Sequence, residues 1–175
     1  MKSLARFFVT SFGLFLLGCT PSGLPPVADA QPHGDTVSFS PRVKIERGQD
    51  LSITAQAKIG DQTIDLEVAT TPEQQAIGLM YRSEIAPNRG MLFPFNPPRT
   101  VTFWMKNVEI NLDMIFLRDG EVLAIADDVP PCTSDPCPFY GPENSPVDHV
   151  LELGGGRAAE LGIQVGDQIA IDFLE

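Results

Sequence analysis

Apolar and polar positions alternate with a period of two over much of the chain, which predicts half-buried strands. Thr63, Asp65 and Glu67 alternate with Ile64, Leu66 and Val68. Gly60-Asp61 then joins this run to Leu51–Ile59 as a hairpin, because such a dipeptide accepts the positive φ of a tight turn. Gly90–Phe95 reads as a short apolar strand that Pro94 places at an edge or near its end. Val101–Asn107 reads as another, with Val101, Phe103 and Met105 on one face and Thr102, Trp104 and Lys106 on the other. After a turn at 108–111, Leu112–Leu117 and Glu121–Ala126 complete a meander around the Asp119-Gly120 turn. Val147–Leu153 and Gln168–Phe173 read as the last strands.

The period changes at Thr71. Thr71 as N-cap, Pro72 at the first helical position and Gln74 as the capping-box partner predict a helix ending near Arg82. A second short helix is expected at 154–162, flanked by glycines. Many short strands with one or two short helices predict a mainly β fold: a single compact antiparallel β-barrel or sandwich domain.

The first residues read as an address. Lys2 and Arg6 precede the apolar stretch Phe7–Leu17, which is shorter than the roughly 20 residues a spanning helix needs. Leu16-Leu17-Gly18-Cys19 resembles the bacterial lipobox, in which the cysteine thiol is lipidated and becomes the new N-terminus. The alternative is cleavage near Ala28-Asp29-Ala30. Residues 1–18 are thus expected to be a signal peptide, and 19–47 a lipidated N-terminus and proline-rich tether. Residues 48–175 are the β-rich globular domain. The expected place is the cell envelope, on the periplasmic face, with Cys19 anchoring the chain to the membrane. Thr20 after the cysteine favours the outer membrane where there is one.

Charge removes one class of partner. The chain carries 23 acidic and 12 basic residues, a net charge of −11. Nucleic-acid binders need clustered Lys and Arg to displace counterions, so none is expected as a partner.

Four segments together resemble the domain-of-unknown-function family 192. They are PEQQAIGLMYR at 72–82 following Thr71, GMLFPF at 90–95, FWMKNVEINLDMIFL at 103–117 and HVLELGGGRAAELGIQVGD at 149–167. The similarity covers residues 62–175. It implies a single small β-dominated domain, commonly exported or lipid-anchored, and no assigned activity.

The remaining candidates concern chemistry. Cys132 and Cys137 have four residues between them, and in an exported chain the default is a disulfide, with a metal pair or redox dithiol as alternatives. Gly154-Gly155-Gly156-Arg157-Ala158-Ala159 mimics a dinucleotide fingerprint, but too little chain follows for a βαβ unit. No spacing marks a metal site, and neither a cofactor nor a catalytic residue is expected. Trp104, Lys106, Asn107, Asp113 and Arg82 form the candidate ligand-binding set, suited to a small polar or sugar-like molecule. Asn107 and Asp113 could equally serve a turn through local backbone bonds. The expected function is a non-enzymatic binding or interaction module. The alternatives are an enzyme on envelope carbohydrate or peptide, using Asp113 with Glu109 or His149, and a purely structural envelope protein.

Overall fold

The structure, a computed structural model, describes residues 48–175. The signal, Cys19 and tether readings lie outside the described residues. The elements are β1 (Ile53–Ile59), β2 (Gln62–Val68), α1 (Pro72–Ile77), β3 (Arg89–Arg99), β4 (Leu112–Arg118), β5 (Glu121–Val129), β6 (Val147–Gly154), α2 (Arg157–Glu160) and β7 (Ala170–Phe173).

All seven strands belong to one sheet, in the order β5-β4-β6-β3-β2-β1-β7. The fold is mainly β with two short helices, as expected, but it is a single open mixed sheet and not an antiparallel barrel or sandwich. The β2–β3 pair is parallel, with Leu66 opposite Gly90 and Val68 opposite Leu92. Parallel neighbours need a crossover of about a dozen residues or more, and α1 with its flanking loops supplies it. The segment leading into β7 reaches back to the start of β5. Val122 N–H donates to Asp167 O at 2.9 Å and Ile169 N–H to Gly120 O at 2.9 Å. A bridge pairs Glu121 with Gln168 beside them.

Each face of the sheet carries its own core. Ala57, Leu66, Leu92, Ile115 and Leu151 fill one, which Ala158 and Ile169 help to close. Met91, Phe93, Met114, Phe116 and Val150 form the other, packed with residues of the 100–111 segment. Strands β3, β4 and β6 are therefore buried on both faces. Their near-continuous apolar runs follow from that position.

Two local expectations change. The capping box at Thr71 and Gln74 is present, yet α1 stops at Ile77 because Gly78 takes φ +50° and leaves the helix. Residues 101–107 do not form a ladder strand: only Phe103 pairs, in a bridge with Tyr140. That segment crosses one face of the sheet as a cover, so its alternation of inward and outward side chains mimics a strand.

Candidate functional site

The cover segment positions the site. Phe103 and Tyr140 exchange both backbone hydrogen bonds at 2.8 Å, which pins the segment over the core. The Phe103 ring packs edge-on against Phe93 at 5.1 Å and Phe116 at 6.0 Å between centroids. Met105 points inward and is fully buried. Trp104, between them, must point outward, and 42% of its surface is exposed.

Trp104 does not stand alone. Its ring stacks on that of Phe139 at 6.0 Å with 11° between planes. Lys106 places Nζ 5.6 Å from the Trp104 centroid and 3.4 Å from Asp135 Oδ1. Asp135 lies within the loop that the Cys132–Cys137 disulfide closes, and Phe139 stands two residues beyond Cys137. The bond thereby helps to hold the aromatic partner of Trp104 in place.

Beside Trp104 lies a groove of about 440 Å³ between the first turn of α1 and residues 95–104. Phe95, Phe103 and Trp104 supply its apolar wall, and Gln75 and Arg99 its polar groups. The Arg99 guanidinium sits 4.8 Å over the Phe95 ring and 3.5 Å from Gln75 Oε1. A convergent cation beside an aromatic wall is the usual make-up of a small-molecule site.

A second, smaller cavity of about 40 Å³ adjoins it, sharing Gln75, Ala76, Phe103 and Trp104 as wall residues. Its floor carries Glu152 of β6. Glu152 shares the sheet face of Val150 and lies opposite Met91 on β3 and Met114 on β4. It is 5% exposed, and burial pushes its carboxyl up to about 8. No described residue gives that carboxyl a hydrogen bond or a counter-charge. The acid is therefore held neutral at neutral pH, since nothing offsets the cost of charging it.

The other candidate residues have different surroundings. Asn107 takes φ +59° and its carbonyl accepts the N–H of Tyr81 at 2.8 Å. Arg82 donates through Nη1 to Glu67 Oε1 at 3.0 Å and through Nε to Gln49 O at 3.0 Å. Asp113 is fully buried on the sheet face opposite Glu152. Its Oδ1 accepts the N–H groups of Asp128 at 2.7 Å and Gly156 at 2.9 Å, and its Oδ2 that of Ala158 at 2.6 Å. Asp113 thus anchors the start of α2 and the exit of β5. His149 pairs with Asp148 at 2.9 Å and stands opposite Leu117, whereas Asp113 stands opposite Leu153. The structure brings Trp104 and Lys106 together, ties Asn107 to the exit of α1, and sets Arg82 and Asp113 in separate polar clusters.

The groove residues Gln75 and Arg99 and the acid Glu152 are not in the candidate set drawn from the sequence. One signal for Glu152 was legible: an acid at an inward position of the otherwise apolar run Val150–Leu153.

Residues 54–171 match the family model DUF192, described as Uncharacterized ACR, COG1430. The chain belongs to that family. The match includes β1, upstream of the 62–175 range read from motifs. Two solved structures resemble this DUF192 domain. One is a Sinorhizobium meliloti protein named "putative transcription regulator", 33% identical, with a TM-score of 0.60. The likeness covers 70% of this chain and 97% of that one. The other is a protein of unknown function from Novosphingobium aromaticivorans, 32% identical, with a TM-score of 0.59. That likeness covers 72% of this chain and 96% of the other. No curated protein matches the chain.

Proposed function

We propose that this chain is an exported, lipid-anchored binding module of the cell envelope that takes a small organic ligand in the groove beside Trp104. The observation that carries the reading is the exposed Trp104 at a groove of about 440 Å³ that also holds Phe95, Phe103 and Arg99. An aromatic wall supplies apolar area at low entropic cost, and an arginine orients a polar ligand. The lipobox-like end at Cys19 and the proline-rich stretch after it support the envelope placement. Nucleic acid is a poor partner for a chain of net charge −11, whatever the role of the Sinorhizobium meliloti relative.

Trp104 is the sole tryptophan, so intrinsic fluorescence reports the groove directly. Titration with sugars, peptidoglycan fragments and small organic amines is expected to shift the emission for at least one class and to raise the melting temperature. A flat response to every class contradicts a ligand-binding role and favours a structural protein. Cys19→Ala is expected to abolish lipid labelling and membrane fractionation; a variant that stays in the membrane pellet contradicts the anchor.

A further inference from the structure

We propose that the small cavity behind Trp104 recognises a primary ammonium group, with the Glu152 carboxylate as its counter-charge and Phe103 and Trp104 as its aromatic wall. The inference rests on the groove reading above and names the chemistry of the ligand end that reaches deepest.

Size comes first. A volume of about 40 Å³ admits a water-sized group and no ring. The ligand's inner end is therefore small, and its body stays in the larger groove.

Polarity then selects the group. Gln75 Nε2 already donates to Ala69 O at 3.2 Å and Pro94 O at 2.9 Å. Lys106 is on the outer side with Asp135, and Arg99 lines the larger groove and not the small cavity. Glu67, opposite Met91 on β2, and Arg89, two residues before Met91 on β3, share the sheet face of Glu152 but pair with each other at 3.3 Å; the side chains around Glu152 itself carry no charge. They are Met91 and Phe93 on β3, Met114 on β4, Leu79 and Met80 after α1, and Phe103, Trp104 and Val108 on the cover segment. A carboxylate entering this cavity would meet an acid and no cation. A hydroxyl would gain one hydrogen bond. An ammonium group gains a charge pair with a buried carboxylate beside aromatic side chains.

Protonation follows from the same balance. Glu152 is neutral when the cavity holds no cation, because a lone buried carboxylate is costly. An incoming ammonium offsets that cost, so Glu152 ionises and its proton leaves to solvent as the ligand binds. With the free carboxyl raised to about 8 by burial, Glu152 is mostly protonated at pH 7, so binding there releases most of one proton per ligand. The ligand class is a primary organic amine with an apolar or ring-like body, and Arg99 in the groove accommodates an anionic or polar substituent.

The test is isothermal titration calorimetry of the protein at pH 7 in two buffers of different ionisation enthalpy, phosphate and HEPES. The probes are benzylammonium chloride and its neutral counterpart, benzyl alcohol. Benzylammonium is expected to bind at least tenfold more tightly than benzyl alcohol and to release close to one proton. Glu152→Gln is expected to lose tenfold or more in benzylammonium affinity, and all proton release, while benzyl alcohol affinity changes by much less, because the amide keeps a neutral hydrogen-bonding group in place. Equal affinity for the two probes, or ammonium binding without proton release, overturns the ammonium site and leaves the groove reading standing. Failure of both probes to bind overturns the ammonium site, and the groove reading falls with it only if Trp104 emission is also flat to the sugars and peptidoglycan fragments. Should Glu152→Gln fail to fold, the proton count of the unsubstituted protein decides alone.

Discussion

Gly78 and Glu152 meet where the chain leaves α1: a Cβ at Gly78 would lie 3.9 Å from Glu152 Oε2 and 3.3 Å from the Phe93 ring. Gly78 also holds φ +50° and ψ −130°, a region that side chains disfavour. The glycine therefore ends the helix and leaves room for the small cavity at one position. Gly78→Ala is expected to destabilise the fold by about 1–3 kcal/mol, the usual range for a strained backbone of this kind. Urea unfolding measures it, and an unchanged midpoint contradicts the strain.

Glu152 makes stability depend on pH with a definite sign. Its folded-state value of about 8 lies above the ordinary 4.5, so the folded state holds a proton that the unfolded chain has lost. Stability contributed by the neutral acid is complete below about pH 4.5, falls as pH rises, and is lost by the time pH passes 8. Glu152→Gln is expected to flatten this slope and to be the more stable protein at pH 8. Urea midpoints from pH 4.5 to 8.5 check it; parallel profiles for the two proteins contradict it.

Asp113 is expected to act through the fold. Its carboxylate accepts three backbone N–H groups, from Asp128, Gly156 and Ala158. Asp113→Asn turns one acceptor into a donor facing a donor, at a cost of about 1.5–3 kcal/mol, the range for a hydrogen bond to a charged group. A lower melting temperature with unchanged Trp104 emission is the expected result. An unaltered melting temperature contradicts the anchoring role and returns Asp113 to the list of candidate acid–base groups.

Arg82 is the main partner of Glu67, which is 2% exposed and also receives Leu51 N–H at 2.9 Å and Arg89 Nη2 at 3.3 Å. Removing one partner of a buried pair costs about 3–5 kcal/mol, because the remaining charge is left short of compensation. Arg82→Ala is expected near the lower end, since Arg89 remains. Chemical unfolding of Arg82→Ala beside Arg82→Ala/Glu67→Gln separates the pair: the double variant is expected to recover part of the loss. No recovery contradicts the ion-pair account.

Local chemistry was the legible part of this chain. Thr71, Pro72 and Gln74 announce α1, Asp119-Gly120 announces the β4–β5 turn, and the Cys132–Cys137 spacing announces the disulfide that the structure contains. Strand order was not legible, because a pattern of alternation says which residues are buried and nothing about which strand lies alongside. The parallel β2–β3 pair depends on where the chain returns after α1. The 101–107 segment misleads for a related reason: inward Phe103 and Met105 with outward Trp104 and Lys106 is the pattern of a strand and equally of an extended cover. Of the candidate site, the shared face of Trp104 and Lys106 was visible. The groove and the small cavity beside it were not, since Gln75, Arg99 and Glu152 come from α1, β3 and β6 and line these spaces only once the sheet is assembled.

Glu152 beneath the groove is the centre of this account, and its carboxyl carbon can be observed directly. In protein labelled with ¹³C at the glutamate side-chain carboxyl, with Glu152→Gln assigning the resonance, that signal is expected to titrate near 8 in the free protein and to move into the acidic range on saturation with benzylammonium. A Glu152 carboxyl that titrates in the ordinary range near 4.5, or that ignores the ligand, contradicts the account.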